Sequence, residues 1–183
     1  MWETKVGEIL PFYIQISDFC LVEEKMDTVK LRLRGGLGNQ IFQYSAARLV
    51  QKMHDCPKLL IDTGEYDKYK VRNIELNSFL LNSETEFTNG DSLKTEIVRK
   101  AFRCYQKAYN VLTSKFSPMY EFNVGCDRYI CSTVEFRNPT IENVRRMHLY
   151  GYFVSSEVAE LMKPVLMKEM LLKLPHSEPY YCL

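Results

Sequence analysis

A chain of 183 residues with 46% hydrophobic and 26% charged side chains is long enough for one buried core and too apolar to be disordered. Its formal net charge of +1 excludes a global basic field for nucleic acid and an acidic bias toward a charge-steered partner. No apolar run reaches the roughly 18 to 20 residues of a membrane span. Residues 9–16 come nearest, but they contain Pro11, and Glu3, Glu8 and Asp18 beside them are wrong for a signal peptide. The six cysteines, at 20, 56, 104, 126, 131 and 182, form no CxxC pair. Free, mostly buried thiols are expected, and zinc is disfavoured.

In chain order, residues 1–25 join poorly to the strand pattern after them and read as an N-terminal extension; a leading edge strand near residues 12–16 is the alternative. Residues 29–34 alternate apolar and charged side chains and predict a strand. Residues 41–53 predict a helix whose buried face carries Phe42, Ser45 or Ala46, Leu49 or Val50, and Met53. Between them Gly35, Gly36, Leu37, Gly38, Asn39 and Gln40 make a turn whose N–H groups suit an anion. Ile41 stands where a dinucleotide fingerprint needs a small residue, and no Lys-Ser/Thr comes next, so this is not a P-loop. On spacing alone, a turn that needs glycine only for its dihedrals is an equally good reading.

Residues 58–62 predict a second, buried strand ending in Asp62, hence a βαβ unit and a parallel sheet. The polar loop 63–70 lies at the edge where such sheets bind ligands; Asp62, Glu65 and Asp67 are its carboxylates, and nothing chooses a general base among them. Asn89-Gly90 is a turn, after which Asp91 or Ser92 caps a long helix. Leu93, Ile97, Ala101, Phe102, Tyr105, Ala108, Tyr109 and Leu112 form its expected core side, opposite a solvated basic face. Ser117-Pro118 ends that pattern. Residues 120–136 are β-prone in three pieces, 137–140 form a turn, and 147–153 predict a strand in which His148 is structural. Arg145 and Arg146 read as surface charges. Ser155 or Ser156 caps a last helix with Val158, Leu161, Met162, Val165, Leu166 and Leu172 as core candidates; Pro164 should kink or restart it.

The string Arg34-Gly35-Gly36-Leu37-Gly38-Asn39-Gln40-Ile41-Phe42-Gln43-Tyr44 resembles the N-terminal signature of the α-1,2-fucosyltransferase family, which transfers fucose from GDP-fucose to galactosides. Two further landmarks accompany it. Arg72, Glu75, Leu76 and Phe79 match the family's Arg-x-x-Glu-Leu-x-x-Phe segment. Gly151-Tyr152-Phe153-Val154-Ser155 resembles its Gly-Tyr-Phe-Gln-Ser, with Val154 in place of the glutamine.

The resemblance spans residues 28–172 and implies a Rossmann-like α/β sheet with flanking helices, the N-terminal domain of a GT-B-type enzyme. It divides the chain into 1–25 (extension), 26–174 (domain) and 175–183 (tail). It implies an inverting, metal-independent transfer to a galactose 2-hydroxyl, with GDP-fucose and a galactose-terminated glycan as substrates and no cofactor. Arg34, Gly35, Gly36, Gly38, Asn39 and Gln40 are the implied donor-binding residues. Asp62, Arg72, Glu75, Gly151, Tyr152, Phe153 and Ser155 are landmarks without an assigned role. The family's His-x-Arg-Arg-x-Asp motif, whose arginines meet the charge of the departing diphosphate, does not occur in the sequence. The chain is therefore expected to be a truncated form, inactive by itself, that self-associates through an exposed interdomain face. A cytoplasmic location, with peripheral attachment to an inner membrane, is expected, or the Golgi in a eukaryote. A non-catalytic sugar- or nucleotide-binding module is the competing function.

Overall fold

A computed structural model describes residues 15–16, 25–67, 71–90, 93–113, 119–132, 136 and 144–173. The expected caps Asp91 and Ser92, the Ser117-Pro118 break, the turn at 137–140 and the tail at 175–183 lie outside the described residues. The strands are β1 (Gln15–Ile16), β2 (Thr28–Arg32), β3 (Leu59–Asp62), β4 (Thr85–Thr88), β5 (Met119–Val124), β6 (Asp127–Ser132) and β7 (Arg146–Gly151). The helices are α1 (Leu37–Met53), α2 (Leu93–Thr113) and α3 (Ser156–Glu169), and a 3-10 turn covers Leu76–Ser78.

The strands form one seven-stranded sheet in the order β1-β5-β6-β7-β2-β3-β4. Neighbours from β6 to β4 are parallel, whereas the β5–β6 hairpin is antiparallel and β1 pairs parallel with β5. The fold is thus α/β and Rossmann-like, but the sheet is mixed and not uniformly parallel. Gln15 and Ile16, inside the segment read as an extension, form β1 at the sheet edge. Strand β4 has no counterpart among the strands expected from the sequence.

Alternation assigns the two faces. Val29 and Leu31 of β2, Leu59 and Ile61 of β3, Ile130 of β6, and Met147 and Leu149 of β7 share one core with Tyr44, Ala46, Ala47 and Val50 of α1. Helix α3 packs onto α1 through Val158 and Met162 against Leu49. The other face is polar and aromatic. In register across the sheet, Phe122 stacks on Tyr129 and Tyr129 on His148, and Phe102 of α2 stacks on Phe122. His148 is buried in this ladder, a structural position.

Three helix faces differ from expectation. In α1 the buried set includes Gln40, Gln43, Arg48 and Gln51, while Met53 is exposed. The helix is covered by loops and α3 as well as the sheet, so its polar side chains are buried as hydrogen-bonding partners. In α2 the buried residues include Thr95 and Arg99, whereas Leu93, Ile97 and Val111 face solvent at 77%, 57% and 80% exposure. Ala101, Tyr105 and Ala108 are exposed too, and Phe102 is half-buried. Charge pairing to the sheet, together with the Phe102–Phe122 stack, turns that helix. The side chains of Tyr109 and Leu112 are not described. In α3, Leu161 and Leu172 are exposed, and the helix runs through Pro164 without restarting. Ser155 caps it, accepting from the Val158 N–H at 3.3 Å. Among the described residues, no helix is long and apolar enough to cross a membrane.

One buried ion pair locks α3 to α1. Arg48 donates through Nε and Nη2 to the Glu169 carboxylate, and the Tyr44 hydroxyl donates to the same group at 2.7 Å. The Arg48 and Glu169 side chains are only 6% and 14% exposed. Glu169→Ala strands a buried guanidinium and is expected to cost about 3 kcal/mol in a urea denaturation series.

Candidate functional site

The strand order reverses at β2. The chain steps from β2 to β3 to β4 in one direction and resumes on the other side with β5, β6 and β7. The carboxyl ends of β2 and β7 therefore open onto a crevice, the usual ligand position in open α/β sheets. A cavity of about 580 Å³ lies there, lined by Arg34, Gly35, Gly36, Leu37, Gly38, Asn39, Glu65, Tyr66, Arg72 and Tyr152.

Its floor is the first turn of α1. The helix begins at Leu37, inside the string read as a connecting turn, with Gly36 as a cap that supplies no side chain. No acidic residue occupies that turn. The first N–H groups of a helix lack intrahelical acceptors, so this end favours an anion. Gly35 has φ +79, a backbone conformation that calls for glycine, and a Cβ there would also displace the Asn39 amide, whose Nδ2 would lie 2.7 Å from it. Gly38 is different: a Cβ there would meet nothing within 4 Å.

Gln40 has another task than the one expected. It is fully buried. Its Nε2 lies within hydrogen-bond reach of Gly35 O, Tyr66 Oη and Asn73 O at 2.9, 3.0 and 2.9 Å. Its Oε1 accepts from the N–H groups of Glu75 and Leu76 at 3.0 and 2.9 Å. It therefore binds the glycine turn to the 71–79 segment and is not among the residues lining the cavity. Gln43 pairs with both the N–H and the C=O of Arg34, as a neighbouring strand would. Tyr66 donates to Gly35 O at 2.6 Å, and burial first, with Glu65 and Glu75 adding, pushes its phenol up to about 12.

The walls carry the charge. Arg34 lies over the Tyr152 ring, 5.1 Å from its centroid, which spans the β2–β7 crevice. Glu65 faces Arg34 at 3.5 Å and Arg32 at 3.6 Å. Arg72, an unassigned landmark in the sequence, reaches the cavity opposite and passes within 3.9 Å of where a Gly36 Cβ would stand. Arg72 forms no ion pair with a described residue, Glu75 included. The glycine turn thus has a second cation beside it, in addition to Arg34.

The other candidates divide. Asp62 is fully buried, with Oδ1 accepting from the N–H groups of Gly64 and Gly90 and Arg32 Nη1 3.5 Å from Oδ2, so it is a structural carboxylate. Asp67 is exposed and outside the cavity wall. Glu75 is exposed and engaged through its N–H. Gly151 has φ +138, and a Cβ there would lie 1.7 Å from Ser132 O, which accounts for the glycine of that landmark. Phe153 is fully buried core and Ser155 a helix cap. Arg145 and Arg146 pair with Asp27 and Asp127 at the surface, at the far end of the sheet.

Beneath the cavity, Arg32 bonds Glu96 of α2, which also bonds Arg99. Burial alone would raise the Glu96 carboxyl, but the bonds and charges of Arg32 and Arg99 outweigh it and hold it at about 2. Among the described residues, no group of three or more His, Cys, Asp or Glu side chains is placed to hold a metal ion. No family model matches the chain, and no curated protein or solved structure does either.

Gln40→Leu leaves the buried Leu76 N–H and the part-buried Glu75 N–H without acceptors and is expected to lower stability by about 2 to 3 kcal/mol in chemical denaturation. Because Glu96 titrates near 2 when folded and near 4.5 when free, its contribution is complete above pH 4.5 and lost as pH falls toward 2. Glu96→Gln is expected to flatten the acid limb of the stability profile over that window, as read by thermal melts.

Proposed function

We propose that this chain binds the diphosphate of GDP-fucose, as part of a GT-B-like enzyme that transfers L-fucose to the 2-hydroxyl of a galactoside. The observation that carries the reading is Gly38. Gly38 is the second residue of α1, where alanine is the better helix former by a few tenths of a kcal/mol to about 1 kcal/mol. Neither a positive φ nor a neighbouring atom of the protein explains it at this position. A ligand approaching the first turn of α1 closely does.

In this reading the uncapped N–H groups of α1 and the guanidinium groups of Arg34 and Arg72 surround the diphosphate, where two forks and a helix end suit doubly charged oxygens. The Asn39 amide adds a donor, Glu65 orients Arg34, and Tyr152 supplies an aromatic face beside it. During transfer the acceptor 2-hydroxyl oxygen bonds to the fucose anomeric carbon and gives up its proton to a base, the bond from that carbon to the phosphate oxygen breaks, and negative charge grows on GDP. The groups placed here stabilise that growing charge.

Calorimetric titration with GDP-fucose tests it. A dissociation constant on the order of 0.1 to 1 mM is expected. Gly38→Ala should raise stability by about 0.5 to 1 kcal/mol while weakening binding at least about tenfold. Arg72→Gln should weaken binding by a similar factor without changing stability. Unaltered binding in Gly38→Ala, or in Arg72→Gln, would overturn the reading.

A further inference from the structure

A second, smaller cavity of about 120 Å³ adjoins the first at the carboxyl ends of β6 and β7. Arg34 borders both cavities. From α2, Arg99 and Arg103 complete its wall, beside Cys131, Ser132, Tyr150 and Gly151. Among the described residues, three guanidinium groups line this space and no carboxylate does. Cys131 adds no negative charge, because burial pushes its thiol up to about 12 despite the fields of Arg103 and Arg99.

The arginines are unequally committed. Arg99 is 8% exposed, lies 5.5 Å from the Tyr150 ring centroid and donates through Nη2 to Glu96. Its buried Nε has no hydrogen-bond partner. Arg103 is exposed and has no ion pair with a described residue. Arg34 is shared with Glu65. The carboxylates nearby, Glu96 and Glu65, are already bonded to Arg32 as well. Among the described residues, positive charge therefore exceeds negative around a space of roughly four water volumes. That is room for one oxyanion group and not for a nucleoside.

We propose that this cavity is a subsite for a single oxyanion, a carboxylate or a phosphate or sulfate ester, carried by a ligand lying beside the glycine turn. Planar guanidinium forks match such groups in shape as well as charge. On the fucosyl-transfer reading, on which only this biological meaning rests, the occupant is an acidic substituent of the acceptor sugar. The acceptor class is then an acidic, not a neutral, galactoside.

The test monitors the arginine Nε–H resonances of the whole chain during titration with inorganic phosphate, and separately with glucuronate, at constant ionic strength held with chloride. The Arg99 Nε–H signal is expected to move saturably. Arg103→Gln, an exposed change that leaves packing intact, should weaken that response about tenfold, whereas Arg72→Gln should leave it within about twofold. Both variants are checked for an unchanged thermal midpoint. An Arg99 signal that responds to chloride equally well, a response unaltered in Arg103→Gln, or one lost in Arg72→Gln would overturn the subsite. Failure of GDP-fucose to bind, with the phosphate response intact, would refute the donor reading alone.

Discussion

One buried amide holds the candidate site in shape. Gln40 satisfies the carbonyl of Gly35 on one side and the N–H groups of Glu75 and Leu76 on the other. The strand-to-helix turn and the 71–79 segment are far apart in sequence; Leu76 and Ile74 of the latter pack into the core beside α1, and the polar remainder of the two is joined another way. Hydrogen bonds to a side chain that water cannot reach do the joining, and they bring Arg72 to the cavity wall. A buried amide that meets all of its partners specifies geometry, and the same amide left unmatched would be a liability.

Charge obeys the same logic one layer down. Arg32, Asp62, Glu96 and Arg99 form a buried cluster between the sheet and α2. Burying these ions is costly unless each finds partners. Their pairing fixes α2 at an orientation that leaves Leu93 and Ile97 in solvent and sets Arg99 and Arg103 at the end of the sheet. The cationic surface at the crevice and the uncovered apolar side of α2 are two results of one packing choice.

The sequence disclosed those parts that depend on local periodicity. Alternation marked β2 and the apolar run marked β3, Ser155 marked the start of α3, and glycines marked the turn before α1. It hid whatever depended on partners distant in the chain. Helical spacing put Leu93 and Ile97 inside, because hydrophobicity outranks arginine in any local pattern; the Arg32–Glu96 bond reverses the order. Strand β4 escaped notice because it is four residues long at the sheet edge with no buried side chain. Gln40 looked like a ligand contact because its string surrounds the site, yet only tertiary structure shows which residues of that string face inward. Arg72 was visible as a landmark, and its position beside Gly36 was not.

The ladder of rings across β5, β6 and β7 has a consequence for assembly of the sheet. Successive side chains of a strand alternate between its faces, so a slip of one residue would move Phe122, Tyr129 or His148 to the opposite layer. There each would confront the aliphatic packing under α1, and a gap would open beneath Phe102. The hairpin that reverses direction at Gly125 and Cys126 thus carries its own proofreading: only one alignment of β5 lets every ring find a neighbour. A strand running against the rest of the sheet, with few companions to correct it, gains a unique address from the faces of its aromatic residues.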